Sequence, residues 1–384
     1  MNVDLRRTVP AWATDRLRTN LLGLMASVWA AAALAAAPDE PAAAKLGETV
    51  VSPVPAWVAV PRVSGRITAR ELGLVINTAD PGSRAIGEAY IKARAIPAAQ
   101  VLRLALPVKP TLSPEEFAAF EARVKAFFKP NVQGLALAWT APYAVGCNSI
   151  TSALTLGYDA TACVVACQRG KPSPYFNTAT SRPFTDLKLR PTMLLAAPDL
   201  PTATALFQRG VAADRSLGWR GAPPVNAYFV HTSDAARNVR FRLFPPPGLV
   251  ARVGVDVHVQ EGDAVQPASR VLLYVTGLAR VEGIAALRWA PGALADHLTS
   301  FGGQLQAPES GQMSALEWIA AGATASYGTV SEPCNHLHKF PHPQVLLLHY
   351  VQGASALEAY WKSVAWPQQG VFIGEPLAAP FARR

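Results

Sequence analysis

The sequence predicts an α/β fold: a mostly parallel sheet with helices on both faces, in three layers. Three observations carry this. Short uncharged runs of strand length alternate with longer stretches of helical spacing along most of the chain. Hydrophobic residues make up 50% and charged residues only 16%, so a chain of this length can enclose a large core. Helix signals punctuate the alternation: a capping pattern at Ser113-Pro114-Glu115-Glu116, Asp199 near another helix start, and Pro97 ending a third.

Taken in order, the N-terminus sets the compartment. Arg6, Arg7, Arg16 and Arg18 precede an uncharged run from Leu21 to Ala37 that ends in small residues. That is the pattern of a secretory signal peptide, and Ala33-Leu34-Ala35 fits its small-x-small cleavage site. Residues 1–35 are therefore expected to be removed, leaving an exported chain, periplasmic or extracellular. No later stretch is apolar for the ~20 residues a bilayer span needs, so no integral membrane segment is expected after cleavage. Residues 36–66, rich in Ala, Pro and Val, read as a linker or loosely packed arm, and 67–384 as a single large α/β domain.

Glu71 to Asn77 (ELGLVIN) reads as a buried strand, residues 78–83 as a turn, and Ser83 to Ala95 as a helix that Pro97 ends. Val101 to Leu106 is extended. Ser113-Pro114-Glu115-Glu116 is a capping pattern that opens a helix to about Phe128. Strands follow at Val132 to Thr140 and Pro191 to Ala197, then a helix at Pro201 to Arg215 with Asp199 near its start. A strand at Val225 to His231 precedes a short helix at Ser233 to Arg242. Strands at Val253 to Val259, Val271 to Thr276 and Ala293 to Thr299 come next. A helix at Ser314 to Ala321, a strand at Ala323 to Thr329 and a helix at Ala354 to Val364 complete the series. Residues at about 141–190 break the alternation and read as an insertion stapled by disulfide.

The formal charge of +9 is spread along the sequence, which implies a basic solvated surface and no nucleic-acid partner. The four cysteines, Cys147, Cys163, Cys167 and Cys334, form an even set in an exported chain and are expected in disulfides. Cys147 with Cys163 or Cys167 is the favoured pairing. Neither a Gly-rich dinucleotide fingerprint nor a phosphate-binding loop is present. Asp214, Arg215, Asp234, Arg237 and Arg240 read as surface charges on helices.

In open sheets of this kind ligands bind outside the carboxyl ends of the strands. Asp80, His231, Glu332 and Cys334 are the candidate lining of such a crevice, for an unspecified small-molecule or protein ligand. His297 with Thr299 or Ser300 supplies a base and a nucleophile type, the ingredients of a hydrolase of altered chemistry. Adjacent strand side chains point to opposite faces, however, so His297 and Ser300 diverge. His336, His338 and His342 offer nitrogen ligands for a divalent metal, the one cofactor the sequence suggests, although their spacing matches no closed zinc signature. Exposed loop histidines are the alternative.

Several phrases carry a resemblance. They are LGLVINTADPGSRAIGEAYIKARAIP from Leu72 to Pro97, WTAPYAVGCNSITSALTLGYD, PGALADHLTSFGG, GATASYGTVSEPC and EAYWKSVAWPQQGVFIGEPLA. Together they resemble an exported bacterial family of uncharacterised proteins, which implies export but no activity. The alternation, followed by GATASYGT and a final helix, is also similar to the gingipain and caspase group of cysteine peptidases. That group ends one strand in His-Gly and the next in the nucleophilic Cys. Here Tyr274-Val275-Thr276-Gly277-Leu278 puts Leu278 in the histidine's place, and the next strand ends Leu298-Thr299-Ser300 without cysteine. The resemblance thus implies the layered fold without the His/Cys dyad.

Overall fold

The computed structural model describes residues 56–164, 167–306 and 310–383. The expected signal peptide and the first part of the expected arm lie outside the described residues. No helix among the described residues is long and apolar enough to cross a membrane.

In chain order the strands are β1 (Leu72–Asn77), β2 (Val101–Leu104), β3 (Thr111–Leu112), β4 (Gly134–Leu137), β5 (Ala144–Val145), β6 (Asn148–Ser149) and β7 (Thr192–Leu194). Then come β8 (Val225–His231), β9 (Gly248–Val250), β10 (Val255–Glu261), β11 (Ala268–Thr276), β12 (Leu287–His297), β13 (Ala325–Thr329) and β14 (Gly370–Gly374). The helices are α1 (Pro81–Arg94), α2 (Pro114–Phe127), α3 (Ile150–Leu156), α4 (Pro183–Leu187), α5 (Leu200–Ala213), α6 (Ala315–Ala321), α7 (Pro343–Val351) and α8 (Ala356–Ser363). Eleven strands form one sheet in the order β2-β1-β4-β7-β14-β13-β12-β11-β8-β10-β9, and β3, β5 and β6 form a small second sheet.

Every residue of β1, β4, β7, β13 and β14 is buried. Side chains alternate across a strand, so burial at every position means that both faces of the sheet are covered. The runs LGLVI and GLALA are apolar throughout for this reason, and the buried Asn77 that ends β1 bonds to the Leu106 backbone.

Strand direction divides the sheet. β2, β1, β4, β7 and β14 are mutually parallel. So are β13, β12, β11, β8 and β10. The two blocks meet at β13 and β14, which pair antiparallel from Ala325↔Gly374 to Thr329↔Gly370. The carboxyl ends of one block therefore lie at the opposite sheet edge from those of the other. A short antiparallel strand, β9, closes the far side on β10.

The helices start where side chains satisfy their free N–H groups. Ser113 and Glu116 form a capping box on α2, and Ser314 with Glu317 and Ser355 with Glu358 do the same for α6 and α8. Asp199 caps α5 by accepting from the Thr202 amide. The expected helix at Ser233 to Arg242 is instead a turn followed by a 3-10 turn at Asn238–Leu243. Asp234 binds the Arg237 amide and the Arg237 side chain, holding the chain in a local loop. α7, α3 and β14 are further elements without a counterpart in the expected series. Within the 141–190 segment, α3 is buried and its Ser152 hydroxyl lies within hydrogen-bond reach of the carbonyls of Pro367 (2.5 Å) and Gly370 (3.0 Å).

Pro61 to Ile67 is an irregular segment hydrogen-bonded to side chains of the C-terminal helices. The Val63 amide donates to Gln352 Oε1 (3.0 Å), Gln352 Nε2 to the Pro61 carbonyl (3.3 Å), and the Ile67 amide to Glu358 Oε2 (3.1 Å). The part of the arm within the described residues is thus pinned by side chains.

Two disulfides use all four cysteines: Cys147–Cys163, spanning 16 residues, and Cys167–Cys334, spanning 167. The first falls within the favoured pairing. The second ties the 141–190 segment to the loop after β13.

Candidate site at the carboxyl edge of the second block

β8, β11, β12 and β13 are parallel neighbours, so His231, Gly277, Ser300 and the segment leading to Glu332 all follow strand ends at one edge. Three strand steps of ~4.8 Å place the ends of β8 and β13 about 14 Å apart. The register fixes the detail: Thr276 pairs with His297, and Val275 with both Phe229 and Asp296.

Asp80 does not belong to this edge. It follows β1, in the block that runs the other way. Its carboxylate accepts from the Gly82 amide at 2.8 Å and caps α1, with Pro81 at the first helical position. A helix cap accounts for the residue, and the antiparallel joint at β13 and β14 removes it from the crevice.

Three elements build the centre of the edge. Thr299 follows β12, and its hydroxyl donates to Gln312 Oε1 (2.5 Å) while accepting from Arg237 Nε (3.2 Å). Gln312 Oε1 also accepts from the Phe301 amide (3.0 Å), which fixes the turn after the strand. Arg237 is half-buried and completes its fork on Asp234 Oδ2 at 2.9 Å. Gly277 permits the approach: a Cβ there would stand 2.0 Å from the Arg237 carbonyl oxygen. Ser300 is half-buried, and its hydroxyl has no hydrogen-bond partner among the described residues.

His297 is buried, and both of its ring nitrogens are occupied. Nδ1 accepts from Trp318 Nε1 at 2.9 Å, so Nε2 carries the proton and donates to the Met313 carbonyl at 3.1 Å. Burial holds its pKa down at about 4, although the Met313 bond works the other way. With no free lone pair, this imidazole cannot take a proton from Thr299 or Ser300. Thr299 is likewise spent on Gln312 and Arg237.

Asp296 and Arg240 form a buried ion pair beneath the edge, with Arg240 Nη2 2.6 Å from Asp296 Oδ1. Arg240 also donates to the Thr276 and Pro341 carbonyls. The surface role expected of Arg240 is therefore overturned: 2% of the residue is exposed. Burial raises the Asp296 pKa and Arg240 opposes the rise. Asp214 is likewise engaged, at 2.6 Å from Arg94, which also binds the buried Glu375.

At the margins, His231 lies beside Phe241 with ring centroids 4.7 Å apart, and its Nδ1 is 3.6 Å from the exposed Glu261. Ser233 donates from its amide and hydroxyl to Asp263. Glu332 is exposed and accepts from the Cys334 amide at 2.7 Å. Cys334 is bonded to Cys167 and has no thiolate to offer a metal or a substrate.

The three histidines put forward for a metal each make other contacts. His336 donates from Nε2 to the Cys167 carbonyl (2.8 Å), and His338 stacks on Trp366 at 4.4 Å between centroids. His342 caps α7 through Nδ1, and burial lowers its pKa to about 4. No cluster of three or more metal-ligating side chains exists among the described residues.

Sequence reasoning did not single out Gln312 for the edge, nor Arg237 as more than a surface charge. Both lie in irregular segments where no periodicity marks a side chain's direction. The proximity of TSDAARNVR to the predicted end of β8 was the available signal for Arg237.

No protein-family model matches the chain, and no curated protein sequence matches it. Among solved structures, it is similar to the Arg-specific cysteine proteinase gingipain R at 8% sequence identity, with a TM-score of 0.36, over 83% of this chain and 80% of that one. A superposition of that quality supports no transfer of activity.

Proposed function

We propose that this chain is an exported binding protein whose ligand sits over the carboxyl edge of β8, β11, β12 and β13. The observation that carries the reading is the Arg237 guanidinium, anchored on Asp234 and Thr299 one residue before Ser300, whose hydroxyl has no partner among the described residues. Arg237 is fixed on Asp234 and Thr299 before any ligand arrives, so a ligand acceptor meets a donor already in place. The sealed state of His297 favours binding over hydrolysis at Ser300, because a serine needs an adjacent base to become a nucleophile. Export is supported by the basic and apolar N-terminal pattern and by the engagement of all four cysteines in disulfides.

The test is thermal denaturation against a panel of amino acids, neutral sugars and dicarboxylates. A compound that raises Tm should lose its effect in Ser300→Trp, which fills the edge, and keep most of it in Ser300→Ala. A stabilising compound indifferent to Ser300→Trp would place the site elsewhere. Labelling of Ser300 by a fluorophosphonate, abolished in Ser300→Ala, would establish a hydrolase instead.

A further inference from the structure

Four arginines far apart in the sequence meet around one recess. Arg62 and Arg66 come from the arm, Arg252 from the turn between β9 and β10, and Arg383 from the C-terminal tail. With Gln352 and Gly353 at the end of α7 they line a cleft of about 800 Å3. The expectation of evenly spread positive charge fails here, because sequence distance concealed a spatial cluster.

None of the four guanidinium groups has an ion-pair or hydrogen-bond partner among the described residues, and no Asp or Glu lines the cleft. The C-terminus of α7 faces this region, but a helix end carries only about half a negative charge. That cannot balance four full positive ones. Like charges gathered in a concavity without a counter-charge among the described residues repel one another, and a dissolved anion relieves the repulsion. The arm arginines also stand on fixed backbone, since Pro61, Val63 and Ile67 are held by Gln352 and Glu358. The backbone that carries two of the four donors is thus set in advance.

We infer that this cleft binds a ligand carrying two or more oxyanion groups. A guanidinium fork matches the paired oxygens of phosphate, sulfate or carboxylate. The volume lies in the range of small-ligand sites, and four forks exceed what a single small anion can engage. The inference is independent of the carboxyl-edge reading, since the two sites share no residue.

The experiment is titration calorimetry on the full chain at fixed ionic strength, with tripolyphosphate, sucrose octasulfate and citrate as probes. The strongest binder identifies the preferred group. Two charge-assisted contacts together are worth roughly tenfold or more in affinity, so Arg62→Gln with Arg252→Gln should weaken that probe by about this factor. Arg169→Gln with Arg220→Gln removes the same charge outside the cleft and should cost about twofold or less. Arg62→Lys with Arg252→Lys keeps the charge without the fork and should fall between. These side chains are exposed, and an unchanged Tm verifies each fold. Equal weakening by the two Gln pairs would reduce the effect to general charge and overturn the inference. So would the failure of all three probes to bind more tightly than millimolar.

Discussion

Removing the two disulfides separately should destabilise the protein by unequal and calculable amounts. A cross-link acts chiefly by restricting the unfolded chain, and its effect grows with the logarithm of the loop it closes. For the 16-residue separation of Cys147 and Cys163 this gives about 3 kcal/mol, and for the 167-residue separation of Cys167 and Cys334 about 5 kcal/mol. The variants are Cys147→Ser with Cys163→Ser, and Cys167→Ser with Cys334→Ser, followed through urea unfolding. With m near ~3 kcal/mol/M, the midpoint should fall by about 1 M in the first and about 1.7 M in the second. The second bond also fastens the loop after β13 at the candidate edge, where Glu332 holds the Cys334 amide. Its loss should therefore weaken a carboxyl-edge ligand as well, which loss of the first should not. A larger midpoint shift for the 16-residue loop, or no shift for either, would refute the reasoning.

Breaking the buried pair with Arg240→Met leaves the Asp296 carboxylate uncompensated and should cost about 3–5 kcal/mol; adding Asp296→Leu should recover at least ~1 kcal/mol of that in the same urea assay, and simple additivity would contradict the pairing. The depressed pKa of His297, about 4 against an ordinary 6.5, means that the unfolded chain takes up a proton which the folded one refuses. Stability from this residue is complete above pH 6.5 and is lost as pH falls toward 4, by roughly 2 kcal/mol between pH 7 and 5. Urea midpoints of wild type and His297→Gln across that window should show a slope smaller by roughly one proton in the variant; parallel curves would contradict the sealed imidazole.

Much of the layered architecture was legible because burial on both faces forces continuous apolar runs. LGLVI and GLALA could hardly be anything else. Helix starts were legible at Ser113 and Asp199, where a side chain does the capping, but not at Ser149 and His342, which cap α3 and α7. What the sequence hides is direction. GVFIG, from Gly370 to Gly374, is a five-residue run between loop segments, and nothing local says that it pairs antiparallel with β13. That one strand reverses half the sheet and moves Asp80 to the opposite edge. The edge residues His231, Gly277 and Ser300 were legible because they follow predicted strands in one block. The state of His297 was not, since its partners Trp318 and Met313 come from the segment beyond the turn. The same blindness to tertiary position kept the Arg62, Arg66, Arg252 and Arg383 cluster invisible, and placed Arg240 on a surface it does not occupy.

The most direct test of the central claim is hydrogen exchange on the full chain, with and without the compound that raises Tm. Protection at residues 231–237, 299–303 and 330–334 is the predicted result, with 78–84 unchanged. Protection confined to 78–84, or to the arm and C-terminal tail, would contradict the carboxyl-edge site.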